Sequence, residues 1–234
     1  MRIWSVVSQK GGSGKTTLLL HVSVLALHKG LSVSVLDLDP QRSAEQWSEL
    51  REELLDTDEP AVVHGTPADL DGMLEAAADT ETDLVLIDTP PAVDKSLVFA
   101  AAAAHLVIVP TRLGVLDQFS LRETLDYLKR ISAIGKTMVV LNGAASDRKG
   151  RADIERIARE FGAAVSAGIL RDQADFVSSL GAGKGITESA PKSRGTKTSK
   201  ASEAAKAAEA IEEIYRELDA FDRKLARSKG RVAV

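Results

Sequence analysis

The chain has 234 residues, 44% of them hydrophobic and 27% charged, the balance of a soluble globular protein and not of a disordered one. It has no cysteine, which excludes disulfides, thiolate zinc sites and cysteine-ligated iron–sulfur clusters, and fits a reducing cytoplasm. The net charge of −4 is uneven: residues 1–189 carry 19 Lys/Arg against 27 Asp/Glu, while residues 190–234 carry 11 against 7, so an acidic body ends in a basic segment that hints at polyanion binding.

Short β-branched apolar runs alternate with helical patterns along the chain. A first run at 3–7 enters the glycine-rich stretch QKGGSGKTT, followed by a helical pattern at 16–29. With the first strand leading directly into this stretch, no signal peptide is expected. A second run at 33–36 ends in Asp37 and Asp39, with helical patterns near 43–55 and 68–78. A third run at 84–87 ends in Asp88, and a helix follows near 94–104. A fourth at 106–109 ends in Pro110 and Thr111, before a helix near 117–133; a fifth at 137–141 ends in Asn142, before a helix near 151–161. Residues 181–200, rich in Gly, Ser, Thr and Lys, read as a mobile basic loop, and 201–227 as a C-terminal helix. The apolar stripe Ala204, Ala208, Ile211, Ile214, Tyr215, Leu218, Phe221 and Leu225 on that helix should pack against the body. Runs apolar on both faces belong to parallel strands buried between helix layers. The order predicts one α/β domain over 1–234, with a doubly wound, mainly parallel sheet flanked by helices. The four histidines show no ligand spacing, and no run of about 18 apolar residues could span a bilayer.

Polar residues therefore gather at the carboxyl ends of the strands, where open α/β sheets bind ligands. The glycines of QKGGSGKTT let the backbone aim successive N–H groups at phosphate oxygens, and the following helix adds its positive end. Gly11, Gly12, Ser13, Gly14, Lys15, Thr16 and Thr17 are the expected phosphate cradle. Lys15 would meet the β- and γ-phosphates of ATP, and the Thr16 hydroxyl would ligate Mg²⁺. The ordinary phosphate-loop pattern fails at its first glycine, where Gln9 stands; Lys10 supplies a second lysine at the start of the loop.

This KGGxGKT form resembles the deviant Walker A motif of the ParA/MinD family of P-loop ATPases, and the chain is most similar to its ParA partition branch. The resemblance implies that Lys10 reaches across a nucleotide-sandwich homodimer into the partner's site, so that Lys10, Lys15 and Asp39 are the catalytic set. It extends to Asp37-Leu38-Asp39-Pro40-Gln41, like the family's switch I, which implies that Asp39 orients the attacking water and Asp37 holds the water shell of the metal. Asp88-Thr89-Pro90-Pro91 resembles Walker B running into switch II, which implies that Asp88 supports Mg²⁺. Asn142 stands where the family has a base-recognising Asn, although an Asn after a strand is also a common turn residue.

Iron–sulfur branches need cysteine, and the segment SAEQW at 43–47 resembles the short plasmid partition ATPases. A chain that begins at the first strand is expected to lack the helix-turn-helix domain of larger ParA proteins. The resemblance implies non-specific DNA binding by the ATP dimer, with Arg171, Lys192, Arg194, Lys197 and Lys200 as candidates, and a ParB-like adaptor that stimulates hydrolysis. It implies a cytoplasmic, nucleoid-associated protein with no membrane partner. Two alternatives stay open: a MinD-like membrane-associated ATPase and a metabolic P-loop ligase of the same superfamily.

Overall fold

The computed structural model describes residues 1–92, 95–143, 147–170, 173–189 and 199–230. Strands and helices alternate along the first two thirds: β1 (Arg2–Val6), α1 (Lys15–His28), β2 (Val33–Asp37), α2 (Ser43–Leu55), β3 (Ala61–His64), α3 (Leu70–Asp79), β4 (Leu84–Asp88), α4 (Lys95–Ala103), β5 (Leu106–Arg112) and α5 (Val115–Arg130). A 3₁₀ turn at Ile134–Lys136 leads into β6 (Thr137–Asn142), then α6 (Arg148–Phe161), β7 (Ala164–Leu170), α7 (Gln173–Gly181), α8 (Ile186–Ser189) and α9 (Ser199–Gly230). The strands form one sheet in the order β3-β2-β4-β1-β5-β6-β7, and each pairing is parallel. The reversal of strand order beside β1 is the switch point of a doubly wound sheet, and it lies where the glycine loop leaves β1.

Alternate residues of the central strands feed two cores. Trp4, Val6, Leu86 and Ile108 face one side, with Leu19, Phe176 and Ile211. Ile3, Val7, Ile87 and Val107 face the other, with Leu121, Leu125 and Ile154. Helix α1 is apolar on nearly all sides and is buried along most of its length, so the element that carries Lys15 and Thr16 is rigidly seated. The predicted stripe of α9 is also buried: Ala208, Ile211, Ile214, Tyr215 and Leu218 pack in the first core. At the same helix Asp222 accepts a 2.9 Å hydrogen bond from Trp4 Nε1.

Two edge strands were not predicted. β3 is only four residues long and its side chains alternate between exposed and half-buried. β7 contains Gly168, where a Cβ would come within 2.7 Å of Ile214 Cγ1, so the small residues of this strand allow close approach of α9. Residues 181–200 also differ from the single loop expected. Ile186 of α8 is buried, and Glu188 grips Arg51 of α2 through two contacts of 2.8 and 2.9 Å. Helix α9 starts at Ser199, and residues 190–198 lie outside the described set.

Candidate nucleotide site

The chain between β1 and α1 turns through two glycines of positive φ, Gly12 at 70° and Gly14 at 96°. Both values are strained for residues with a Cβ. At Gly14 space adds to conformation, because a Cβ would lie 2.4 Å from Asn142 Nδ2. Asn142 is buried at the end of β6 and donates a 2.9 Å hydrogen bond to the Ser13 carbonyl. The end of a neighbouring strand thus holds the loop against the start of α1. Gly14 is also the N-cap of α1 and offers no side chain to its first-turn N–H groups, which is the form of a helix N-terminus suited to an anion.

Three carboxylates stand at adjoining strand ends. In the sheet register Asp88 pairs with Val6 on one side and with Asp37 on the other. Asp88 is 0% exposed, and its two oxygens accept from Thr16 Oγ1 at 2.5 Å and from the Thr89 N–H at 3.1 Å. Burial pushes the Asp88 carboxyl up to about 7; the Thr16 hydrogen bond and the Lys15 charge work against that rise, while Asp37 and Asp39 add to it. Lys15 is buried, which lowers its pKa, and the charges of Asp88 and Asp39 oppose the fall. Asp37 is also buried, which raises its pKa against the pull of the backbone N–H groups that it accepts. Those donors are Asp39 at 3.0 Å, Ala44 at 3.0 Å and Glu45 at 3.3 Å, so Asp37 caps α2. Asp39 is half-buried and accepts from the Gln41 N–H at 2.9 Å.

These groups fit a Mg²⁺–nucleotide complex. A hydroxyl and carboxylates are the hard oxygen donors that Mg²⁺ takes, and a buried carboxyl raised toward neutrality is one that a nearby cation would return to its charged form. Among the described residues no cluster of three or more His, Cys, Asp or Glu side chains forms a metal cage.

Lys10 lies at the entrance of the loop, and its Nζ is 2.6 Å from Asp117 Oδ1 in the first turn of α5. Sequence reasoning passed over Asp117, which is 107 residues from its partner. The local signal was an Asp three residues after Gly114, whose absent Cβ would otherwise stand 2.8 Å from Asp117 Oδ2. Arg112, also unforeseen, ends β5 with a guanidinium 3.9 Å from where a Cβ on Gly12 would be. Thr17 is half-buried in α1. Of the expected DNA contacts, Arg171, Lys192, Arg194 and Lys197 lie outside the described residues, and Lys200 is placed in α9 by its backbone alone.

Residues 4–185 match the CobQ/CobB/MinD/ParA nucleotide-binding domain family. The chain is 35% identical over 124 residues to the maintenance of carboxysome distribution protein A of Gloeobacter kilaueensis, covering 53% of this chain and 55% of that protein. It is 31% identical over 124 residues to protein ParA of Rhizobium radiobacter, covering 50% and 51%. It is 32% identical over 133 residues to the chromosome-partitioning ATPase Soj of Thermus thermophilus, covering 46% and 53%. The chain thus spans about half the length of these relatives. Among solved structures, the MinD cell division protein of Aquifex aeolicus superposes with a TM-score of 0.70 at 18% identity, over 94% of this chain and 98% of that one. An ATP complex of Cyanothece McdA superposes with a TM-score of 0.63 at 15% identity, over 98% and 96%. At these identities the structural likeness shows the fold.

Proposed function

The chain belongs to the CobQ/CobB/MinD/ParA nucleotide-binding family, and on that premise we propose that it is a Mg²⁺-dependent ATP hydrolase of the ParA partition type. The observation that carries the reading is the Thr16–Asp88 contact of 2.5 Å beneath a glycine loop that bears two lysines, Lys10 and Lys15. Bound Mg²⁺ would supply positive charge to the β- and γ-phosphate oxygens, with Thr16, Asp88 and Asp37 as the residues around it. The loop N–H groups from Gly11 to Thr17 and the start of α1 hold the phosphates. Lys15 neutralises charge that builds up as the γ-phosphoryl leaves. Asp39 stands beside this site with one oxygen on the Gln41 N–H and can orient a water for attack in line. Asn142 reaches the same loop from β6 and contributes to nucleotide binding.

ATP binding then brings two copies together, Lys10 serves the triphosphate of the facing copy, and the dimer binds DNA without sequence preference at the nucleoid. A ParB-like adaptor on the cargo stimulates hydrolysis and resets the cycle. The relatives named for partition and for carboxysome distribution support a positioning role and leave the class of cargo open. The apolar stripe of α9 is buried in the core, so that helix does not offer an apolar face to a lipid surface.

The reading is tested by ATP turnover and by ATP-dependent retention on random-sequence duplex at several salt concentrations. A partition ATPase should bind DNA only with ATP, and the slope of log K against log salt should correspond to several phosphates at about 0.9 each. DNA-independent turnover that requires a small-molecule acceptor would assign the chain to the metabolic ligases instead. ATP-dependent capture by anionic liposomes, with no DNA retention, would assign it to membrane positioning.

A further inference from the structure

Strand β3 stands at the end of the sheet order and pairs with β2 alone, so its outer edge presents backbone N–H and C=O groups with no strand beside them. Two cross-strand pairs, Ser34 with Ala61 and Leu36 with Val63, floor a hollow of 660 Å³ whose wall is α3. The helix lines it with Ala68, Gly72 and Ala76, side chains too short to cover β3, and Val63 is left 48% exposed. A Cβ on Gly72 would meet nothing within 4 Å. Hollows of this size and lining take ligands or the side chains of a partner.

The charge around the hollow is one-sided. Residues 43–83, which carry α2, β3 and α3, hold 13 Asp/Glu and one Lys/Arg, so this stretch has −12 in a chain of −4. Among the described residues its ion pairs are Arg42–Glu45 and Arg51–Glu188, which leave its other acids without a cation. Asp69 lines the hollow, and the exposed Glu75 and Asp79 share its lip with Gly72 at helical spacing. Asp56 and Asp58 are exposed just ahead of β3. A second copy docking here would bring −12 against −12, and nucleic acid or an anionic lipid surface would be repelled as well. A positively charged segment is drawn in. The open strand edge beside an apolar floor fits such a segment when it is extended, because main-chain pairing then comes with a place for alternate side chains.

We propose that the groove between α3 and the free edge of β3 docks an extended, basic segment of a partner protein, which adds a strand to β3, sets alternate apolar side chains into the hollow and holds lysines or arginines among the acids that rim it. The apolar side chains contribute by leaving water, and the rim charges select the sign of the partner. The groove lies away from the phosphate loop and needs neither ATP nor a dimer, so its failure would leave the ATPase reading standing. It is nevertheless joined to that site through the sheet, because β2, which floors it, ends in Asp37, and Asp37 pairs in register with His64 of β3.

The experiment is fluorescence anisotropy of short labelled peptides with the whole chain, without nucleotide, at low and moderate salt, together with a thermal melt of each variant. The peptides alternate Lys with Val, Glu with Val, and Lys with Ser. The chains are wild type, Gly72→Leu, the lip variant Glu75→Lys with Asp79→Lys, and a control, Glu209→Lys with Glu212→Lys, which makes the same charge change on α9 across the sheet. Wild type should bind the Lys/Val peptide, and bind the other two at least about ten-fold more weakly. Gly72→Leu fills the hollow from an exposed helix position with open space around it, so its melt should stay at or above that of wild type while Lys/Val binding falls at least about ten-fold. The lip variant should weaken binding about three- to ten-fold at low salt and less at moderate salt, while the control binds as wild type does. Equal binding by Gly72→Leu and wild type would overturn the groove as the site. Equal binding of the Lys/Ser and Lys/Val peptides would overturn the apolar contribution, and equal loss in the lip variant and the control would reduce the effect to net charge. Self-association of wild type in sedimentation equilibrium that Gly72→Leu abolishes would give the groove to a second copy and overturn the basic partner.

Discussion

The Asn142 amide nitrogen lies 2.9 Å from the Ser13 carbonyl oxygen, so the last residue of β6 is bonded to the backbone of the phosphate loop. A base-recognising Asn would face the adenine; this contact supports the loop that meets the phosphates. The two roles predict different losses. Asn142→Ala should weaken ATP, GTP and inorganic triphosphate by similar factors, about five- to ten-fold each, for the loss of one buried hydrogen bond of 1 to 1.5 kcal/mol. Isothermal titration with the three ligands checks this, and a loss confined to ATP would return Asn142 to base recognition. Gly14→Ala should abolish binding of all three, because its Cβ would have to displace that same amide from 2.4 Å.

Asp37 was expected to act on the metal's water shell, yet its carboxylate already accepts from three backbone N–H groups, two of them in the first turn of α2. Losing a helix cap costs about 1 kcal/mol, and leaving buried donors unmatched adds to that. Asp37→Ala should therefore destabilise the nucleotide-free chain by about 2 kcal/mol or more in urea unfolding. If Asp37 served the metal alone, nucleotide-free stability would not change.

What was legible in the sequence follows from range. The five central strands could be read because each is apolar on both faces, and Lys15, Thr16 and the Asp88 strand end could be read because each sits in a local pattern. The edge strands could not: β3 is short and half exposed, and β7 is built of small residues whose purpose, close packing by α9, appears only with Ile214 in place. Within the site, the partners of Lys10 and Asn142 lie 107 and 129 residues away, so no spacing rule connects them. The stretch 181–189 looked like loop because three of its nine residues are glycine and only Ile186 is a large apolar residue. Its order comes from Arg51 and from the buried His21, whose Nδ1 accepts the Ile186 N–H at 3.0 Å.

Lys15 and Asp39 should separate binding from chemistry. Lys15 is buried beside the loop, so Lys15→Ala removes the ammonium that meets the phosphates and should abolish measurable ATP affinity. The Asp39 carboxylate accepts from the Gln41 N–H and belongs to the segment after β2, not to the phosphate loop, so Asp39→Ala should bind ATP with an affinity within about two-fold of wild type. Its turnover should fall at least about 100-fold, the usual size of a general-base effect. Wild-type turnover should itself lie well below about 10 s⁻¹, the median for enzymes, if the protein waits for an adaptor. Turnover at the wild-type rate in Asp39→Ala would remove it from the mechanism.

The buried His21 makes a prediction about acid stability. It sits in α1 with its ring 4.8 Å from that of Phe176, and burial lowers its pKa from 6.5 to about 3. Protonation would also have to displace the Ile186 N–H from Nδ1. Between these two pKa values the unfolded chain binds a proton that the folded chain refuses. Its neutral-state stabilisation is therefore fully present above pH 6.5 and is lost as pH falls toward about 3. The loss has a limiting slope of about 1.4 kcal/mol per pH unit, or about 2 kcal/mol between pH 6.5 and pH 5. Asp88 tilts the other way, since its raised carboxyl costs stability as pH rises from 3.8 to about 7. Comparing wild type with His21→Asn cancels that contribution, because Asp88 is present in both. The variant should be less stable at pH 7, for the space it leaves, but its stability should fall by about 2 kcal/mol less than that of wild type between pH 6.5 and pH 5 in urea titrations. Parallel curves over that interval would show that His21 takes up its proton in the folded chain as easily as in the unfolded one, and that its contact with Ile186 does not restrain it.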